Sequence, residues 1–430
     1  MRLTSLLLAI VGILVASTAS QADENWPSWR GPLGTGAAAD GDYPVKFSGT
    51  DGVTWKVKLP GIGSSTPAVW GDSIFVTCEI DGKDGIVCYD MQGEERWRKS
   101  FGEGREGKHR NGSGANPSPA TDGEHVVVYY KSGCVACVNF KGDELWQVNL
   151  QEKYGEDTLW WDLGTSPVIT GKNVVIAVMQ AGDGYLAALD LKTGEVAWKQ
   201  DRTYEIPKEM EESDQAYTTP QLVKLDGKDV LVTFGADHLT MHDAATGEPL
   251  YDREGFNPEK KGFQRVIASM VVENGIALVP WGRAGFLSAF DLSADAKSES
   301  LWTKQGLGCD VPTPAARDGK AFVLADDGRV ACLDMKTGEE AWADRLPKSK
   351  DKYYASPLLA GDKMYCVNEG GKLFVVGVAD GFKLLTEKAN DMGESVIATP
   401  VATRGGLLIR GTEHLFWIGG ESVKTAATGG

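Results

Sequence analysis

The chain has 430 residues, 42% hydrophobic and 24% charged, a globular balance that excludes a disordered chain and one with many membrane spans. With 60 acidic against 44 basic side chains the formal charge is -16, so the surface as a whole repels phosphate backbones and anionic lipid, which argues against nucleic acid as a partner. Glycine fills 53 positions and proline 18. The glycine share is well above the ordinary level of about 7% and falls in short turns with no collagen-like period, which predicts a turn-rich, all-β chain.

The first segment carries one basic residue, Arg2, then an apolar run from Leu6 to Ala16, then small and polar residues ending Ser20, Gln21, Ala22. The run is shorter than the roughly 20 apolar residues a bilayer span needs, and the order of its parts is that of a signal peptide, cleaved after Ala22 or after Ala19. No cysteine lies near either site, so a lipidated N-terminus is not expected. Export to the periplasm or cell surface, or secretion, is the expectation, with no transmembrane segment in the mature chain.

After a stretch at 23–52, a small-residue-plus-proline anchor recurs as STP (65–67), PSP (117–119), TSP (165–167), TTP (218–220), ASM (268–270), PTP (312–314), ASP (355–357) and ATP (398–400). Each anchor precedes a short apolar segment, a turn such as Gly71-Asp72, and an alternating run such as SIFVTC or HVVVYY, which reads as strands. A third strand and a glycine follow, and then an aromatic: Trp97, Trp146, Trp198, Tyr251 or Trp342, with Trp302 in the same place and Leu385 as an aliphatic substitute. Units of about fifty residues with four strands each predict a β-propeller. The eighth unit stops at 418–420 without a fourth strand, whereas the orphan strand VTWKVKLP (53–60) carries Trp55 in the same context. The expectation is an eight-bladed propeller over 53–420, closed by that strand, with a tail at 421–430.

ALDLKTGEVAW (188–198) and CLDMKTGEEAW (332–342) resemble the tryptophan-docking repeat of pyrroloquinoline quinone proteins, and CYDMQGEERW (88–97) is a copy one residue shorter. The chain is therefore similar to the quinoprotein-like propellers, which include the smaller BamB-type outer-membrane assembly factors. WPSWRGP (26–32) looks like the opening of a secreted bacterial branch of these proteins. The resemblance implies that the repeated aromatics (Trp55, Trp97, Trp146, Trp198, Tyr251, Trp302 and Trp342) are structural wedges between blades. It also implies, for the quinone enzymes, a cofactor lidded by two adjacent cysteines beside a calcium ion. No Cys-Cys pair occurs here, and no motif places the metal's ligand set.

Seven cysteines in an exported chain invite disulfides. Cys78 and Cys88 flank a hairpin turn and form the pair to consider, whereas Cys88, Cys137 and Cys332 share a repeat position that asks for a small buried residue. Cys134 and Cys137 form CxxC on a strand with no second ligand pair, unlike a zinc site. GEGREG (102–107) fits GxGxxG but is followed by KHRNGSGANPSP, which cannot open a helix, so it reads as a loop. His238 and His242 sit on one strand about 13 Å apart and cannot share a metal. No catalytic residue and no metal ligand is assigned.

The connections between blades are long at 98–116, 147–164, 199–217 and 252–265 and shorter later, so one half of one propeller face is built up. These loops bring His109, Arg110, Trp160, Trp161, Asp162, Asp214, Tyr217 and Arg265 toward the channel mouth, and a PWGRAG turn adds Trp281 and Arg283. Exposed aromatics beside charges suit a sugar, a peptide or a cofactor. The first functional reading is a non-catalytic binding scaffold with a protein or glycan partner and no cofactor. Its alternative is an oxidoreductase acting on alcohols or sugars with pyrroloquinoline quinone and calcium.

Overall fold

A computed structural model describes residues 24–420 apart from residue 205; the signal-peptide and C-terminal-tail assignments lie outside the described residues. Eight four-stranded antiparallel units form the fold, one with an extra short strand. The first blade consists of Ala68–Trp70, Ser73–Ile80, Lys83–Asp90 and Glu95–Glu103. Blades two to seven follow at 120–149, 168–201, 221–253, 271–305, 315–345 and 358–391. The described residues include one short α-helix, Leu150–Tyr154, between blades two and three.

The second and third strands of each blade are buried on both faces, as in Asn173–Val178, because neighbouring blades stack against each sheet. Alternation is confined to the outermost strands, such as Val196–Asp201, where one face meets solvent. The seventh blade departs from the repeat. Its outer strand is only Lys383–Leu384, and Asn390–Asp391 also pairs with the third strand; Leu385, where an aromatic would sit, packs on the core at partial burial.

The repeated aromatics reach from one blade to the next. The indole N–H groups of Trp55, Trp97, Trp146 and Trp302 donate to the carbonyls of Met91, Phe140, Leu191 and Met335, each at 2.9 Å. Each ring lies over the turn glycine of the following blade: a Cβ on Gly142 would come within 2.7 Å of Trp97, and on Gly194 within 2.7 Å of Trp146. Those glycines also hold positive φ, so both space and backbone demand glycine. Trp198 and Trp342 are half-buried, and Trp146 and Tyr251 are buried.

The middle residue of every anchor is Ser or Thr, and it builds a ring. The N–H of Thr66 donates to Ser118 Oγ, Ser118 to Ser166, Ser166 to Thr219, Thr219 to Ser269, Ser269 to Thr313, and Thr313 to Ser356, at 2.9–3.0 Å. At the junction of blades eight and one, buried Arg410 takes over, donating to the Ser65 carbonyl and hydroxyl. Blade eight itself joins Val401–Thr403, Gly406–Arg410 and His414–Gly419 to the N-terminal strand Val53–Lys58.

Residues 24–52 lace across the inner strands. Trp26 pairs with Val69, Ala316 N–H donates to the Thr35 carbonyl, and Ala37 pairs with Leu359. Buried Arg30 donates to the carbonyls of anchor residues Pro314 and Pro357 at 3.1 and 3.2 Å, which puts its guanidinium inside the channel at anchor level.

All seven cysteines are free and buried, which corrects the disulfide expectation. Cys78 lies opposite Gly85, and Cys88 opposite Phe75. The two thiols therefore project from opposite faces of the blade.

Candidate functional site

At the loop-rich end the channel opens into a cleft of about 630 Å³, whose lining includes His109, Trp161, Asp162, Tyr217, Arg265 and Arg283. Six of the eight residues that immediately precede an anchor line it as well: Asn116, Tyr217, Ile267, Val311, Tyr354 and Ile397. Their shared repeat position aims them at the channel axis. Only Tyr217 among them was a sequence candidate.

The long loops are knitted into one another. Ala216 bridges to both Met179 and Val266, and Gln215 and Tyr217 hold the two tryptophans. Trp160 N–H donates to Gln215 Oε1 at 2.7 Å, and Trp161 N–H to Tyr217 Oη at 3.0 Å. With their backbones fixed, Trp160 is still 57% exposed and Trp161 37%. His109 meets Trp161 edge-on at 5.7 Å.

Asp162 is a buried support. Its carboxylate accepts from the N–H groups of Lys108 and His109 at 2.7 and 2.8 Å and from buried Lys131 Nζ at 2.6 Å. A Cβ on Gly112 would fall 2.0 Å from Asp162 Oδ2, so glycine is needed where the loop closes over the carboxylate. Arg110, on the rim, donates to Glu369 at 2.8 Å, as does Asn111; the first long loop is thus tied past blade eight to blade seven.

Arg265 is mostly buried and Arg283 half-exposed, their Nη2 atoms 3.5 and 3.8 Å from Asp310 Oδ2. Asp310 N–H donates to Asp326 at 2.8 Å. Burial, with the neighbouring charge of Asp310, holds the Asp326 carboxyl up at about 6. Asp310, Asp326, Arg329, Lys352 and Tyr354 escaped the sequence reading because they sit on short connections and hairpin turns; the position before the anchor was the available signal for Tyr354.

Besides Arg110 on the rim, three candidates lie away from the cleft lining. Trp281 stacks on Phe286 at 4.2 Å and gives its indole N–H to Ser288, inside the interblade packing. Asp214 is buried within its loop, where burial raises its carboxyl. Trp160 stands on the outer surface of the face. Elsewhere His242 is pushed down to about 4 by burial, while His238 pairs with Asp252 at 2.6 Å.

The cleft does not fit a quinone–calcium centre. A dication needs several free oxygen donors, but Asp310 already faces two guanidiniums, Asp162 is saturated, and among the described residues no three His, Cys, Asp or Glu side chains converge on a metal position. Cys309 is fully buried and has no adjacent cysteine.

Comparison with known proteins bears on the same question. A BamB from Burkholderia pseudomallei is 24% identical over 364 residues, covering 83% of this chain and 84% of that protein. The Escherichia coli BamB is 26% identical over 116 residues, so the match spans only 28% of its length. Among solved structures, BamB from Moraxella catarrhalis superposes with a TM-score of 0.61 at 14% identity, over 85% of this chain and 99% of that one. A europium-containing methanol dehydrogenase gives 0.69 at 11% identity, over 90% and 89%. A quinohemoprotein alcohol dehydrogenase from Comamonas testosteroni gives 0.68 at 13%, over 96% and 83%. At these identities the structures speak for the propeller alone. The family model described as outer membrane protein assembly factor BamB matches residues 93–343 and 283–420, and by that match this eight-bladed propeller belongs to the BamB family.

Proposed function

We propose that the protein is an exported, non-catalytic scaffold that docks a protein partner on the loop-rich face of its propeller. The observation that carries this reading is the pair Trp160 and Trp161, exposed yet fixed through their backbones by Gln215 and Tyr217. Large aromatic side chains held open in advance are the usual anchors of protein interfaces, because little ordering cost remains to be met on binding. The names of the relatives concern assembly of outer-membrane proteins, which favours a protein over a glycan as the partner. The quinone alternative loses support from the occupied carboxylates of the cleft.

A photocrosslinking residue at Trp160, compared with one at exposed Leu301 just before the outer strand of blade five, tests the reading in cells of the source organism. A defined protein adduct from position 160 and not from 301 is the expected result. Equal or absent adducts at both positions overturn it, as does dye reduction with an alcohol after loading with pyrroloquinoline quinone and calcium.

A further inference from the structure

Arg265 and Arg283 share one carboxylate and hold it loosely. Their distances to Asp310, 3.5 and 3.8 Å, exceed the roughly 2.7–2.9 Å of a good charge-assisted hydrogen bond. Nε and Nη1 of Arg265 are buried without a hydrogen-bond partner in the protein, so the long contact with Asp310 is what balances its charge. The other acids nearby are engaged: Asp162 by Lys131 and two backbone N–H groups, Asp327 by Arg329 and Arg345, and Asp326 by the N–H of Asp310. Asp326 is a second anion beside Asp310, but the lining sets Lys352 together with Arg265 and Arg283 against them, and three cations facing two anions leave positive charge on the cleft wall, in a chain whose net charge is -16. The surroundings are apolar, with Ile267, Val311 and Ile397 in the lining, so that charge acts in a medium where it is poorly screened.

We propose that the cleft captures the free C-terminal carboxylate of a partner polypeptide, seated between Arg265 and Arg283 with the preceding apolar side chains on Ile267, Val311 and Ile397. The carboxylate brings these cations to a matched number of anions. A chain end fits this cleft better than an internal acidic residue for two reasons. Arg30 and residues 24–38 cross the channel on the far side, lining a separate cavity that shares no residue with the cleft. On the near side, the Arg110–Glu369 contact narrows the mouth beside blade eight. A segment must therefore enter and stop, which a terminus does and a loop with two strands does not. This inference rests on the docking face proposed above and names what that face recognises.

Calorimetric titration of the purified protein with three peptides tests it: N-acetyl-Ala-Val-Phe with a free carboxylate, the same peptide as its C-terminal amide, and N-acetyl-Ala-Asp-Phe amide. The free acid is expected to bind at least tenfold more tightly than either amide, and Arg283→Gln to remove that preference. Arg265→Gln should do the same; because Arg265 is mostly buried, half-exposed Arg283 is the variant that keeps the test valid if Arg265→Gln does not fold. Equal affinity for acid and amide, no binding of any peptide, or an Arg283→Gln protein that still discriminates overturns the inference. Tight binding of the Asp peptide overturns the chain-end form of it. A crosslinked partner at Trp160 without acid–amide discrimination removes this inference alone, whereas the absence of any adduct removes the docking face beneath it.

Discussion

Trp55 and Trp417 lie directly opposite each other in antiparallel register, one from the start of the folded chain and one from its end. The pairing from Val53↔Ile418 to Lys58↔His414 is therefore the clasp of the ring. Deleting residues 23–60 is expected to abolish cooperative unfolding, since it leaves blade eight with a bare edge and blade one without its Trp55 wedge. A truncated protein that melts as sharply as the parent refutes the clasp.

The hydroxyl ring gives a local test. Ser166 accepts from Ser118 N–H and passes its own N–H to Thr219. Ser166→Ala leaves a buried N–H unpaired, and an expected loss of about 1–3 kcal/mol follows from that desolvation. Urea unfolding measures it, and Ser166→Thr, which keeps the acceptor, should recover most of the loss.

Wedge residues are not equivalent. Trp146 is 7% exposed, and Trp146→Ala is expected to cost about 3–5 kcal/mol. Trp342 is only half-buried, so Trp342→Ala should cost roughly 2 kcal/mol, scaled by the smaller area removed from water. Guanidinium denaturation of the two variants side by side decides it; equal losses contradict the scaling.

On the loop-rich face, stability and exposure should separate. Asp162→Ala strands Lys131, whose side chain is 3% exposed, and is expected to cost about 3–5 kcal/mol as an uncompensated buried charge does. Trp160→Ala should shift stability by no more than about 0.5 kcal/mol. Thermal melts of both variants check the contrast.

Asp84 makes stability depend on pH. It is buried, it accepts a hydrogen bond from Ser132, and burial raises its carboxyl from 3.8 to about 7. A folded pKa above the unfolded one means the native state holds the proton more tightly. The contribution is then fully favourable below about pH 4 and is lost as pH rises through 7. Asp84→Asn should flatten the stability profile between pH 4 and 7 and raise stability at pH 8 by roughly 1–3 kcal/mol. An unchanged slope refutes the assignment.

The fold was legible because its determinants repeat. Eight anchors and a line of aromatics before a missing last strand define blades and closure with no need of distant contacts. The site was legible only in part. Long loops drew attention to Trp161, Tyr217 and Arg265, which do line the cleft, but the PWGRAG turn drew it to Trp281, whose indole turns into the packing against Phe286. A strand residue's facing depends on register, and the PWGRAG turn offered no way to set it. Asp310 and Asp326 were missed because short connections look like spacers. Cys78 and Cys88 seemed symmetric about their turn, yet the observed pairing gives them different partners, and one position of offset reverses the face on which a side chain emerges.

The clasp also dictates an order of assembly. Blade eight takes three strands from the end of the chain and its fourth from Val53–Lys58, so the first strand to be made waits for the last. Until then the edge at His414–Gly419 is unpaired, and such an edge accepts any compatible strand. Every blade in between can form early from local hairpins, but ring closure demands a contact across almost the whole chain, which is slow. A window therefore exists in which two unfinished rings could exchange their first strands, so the yield of correctly closed monomer should depend on dilution during refolding.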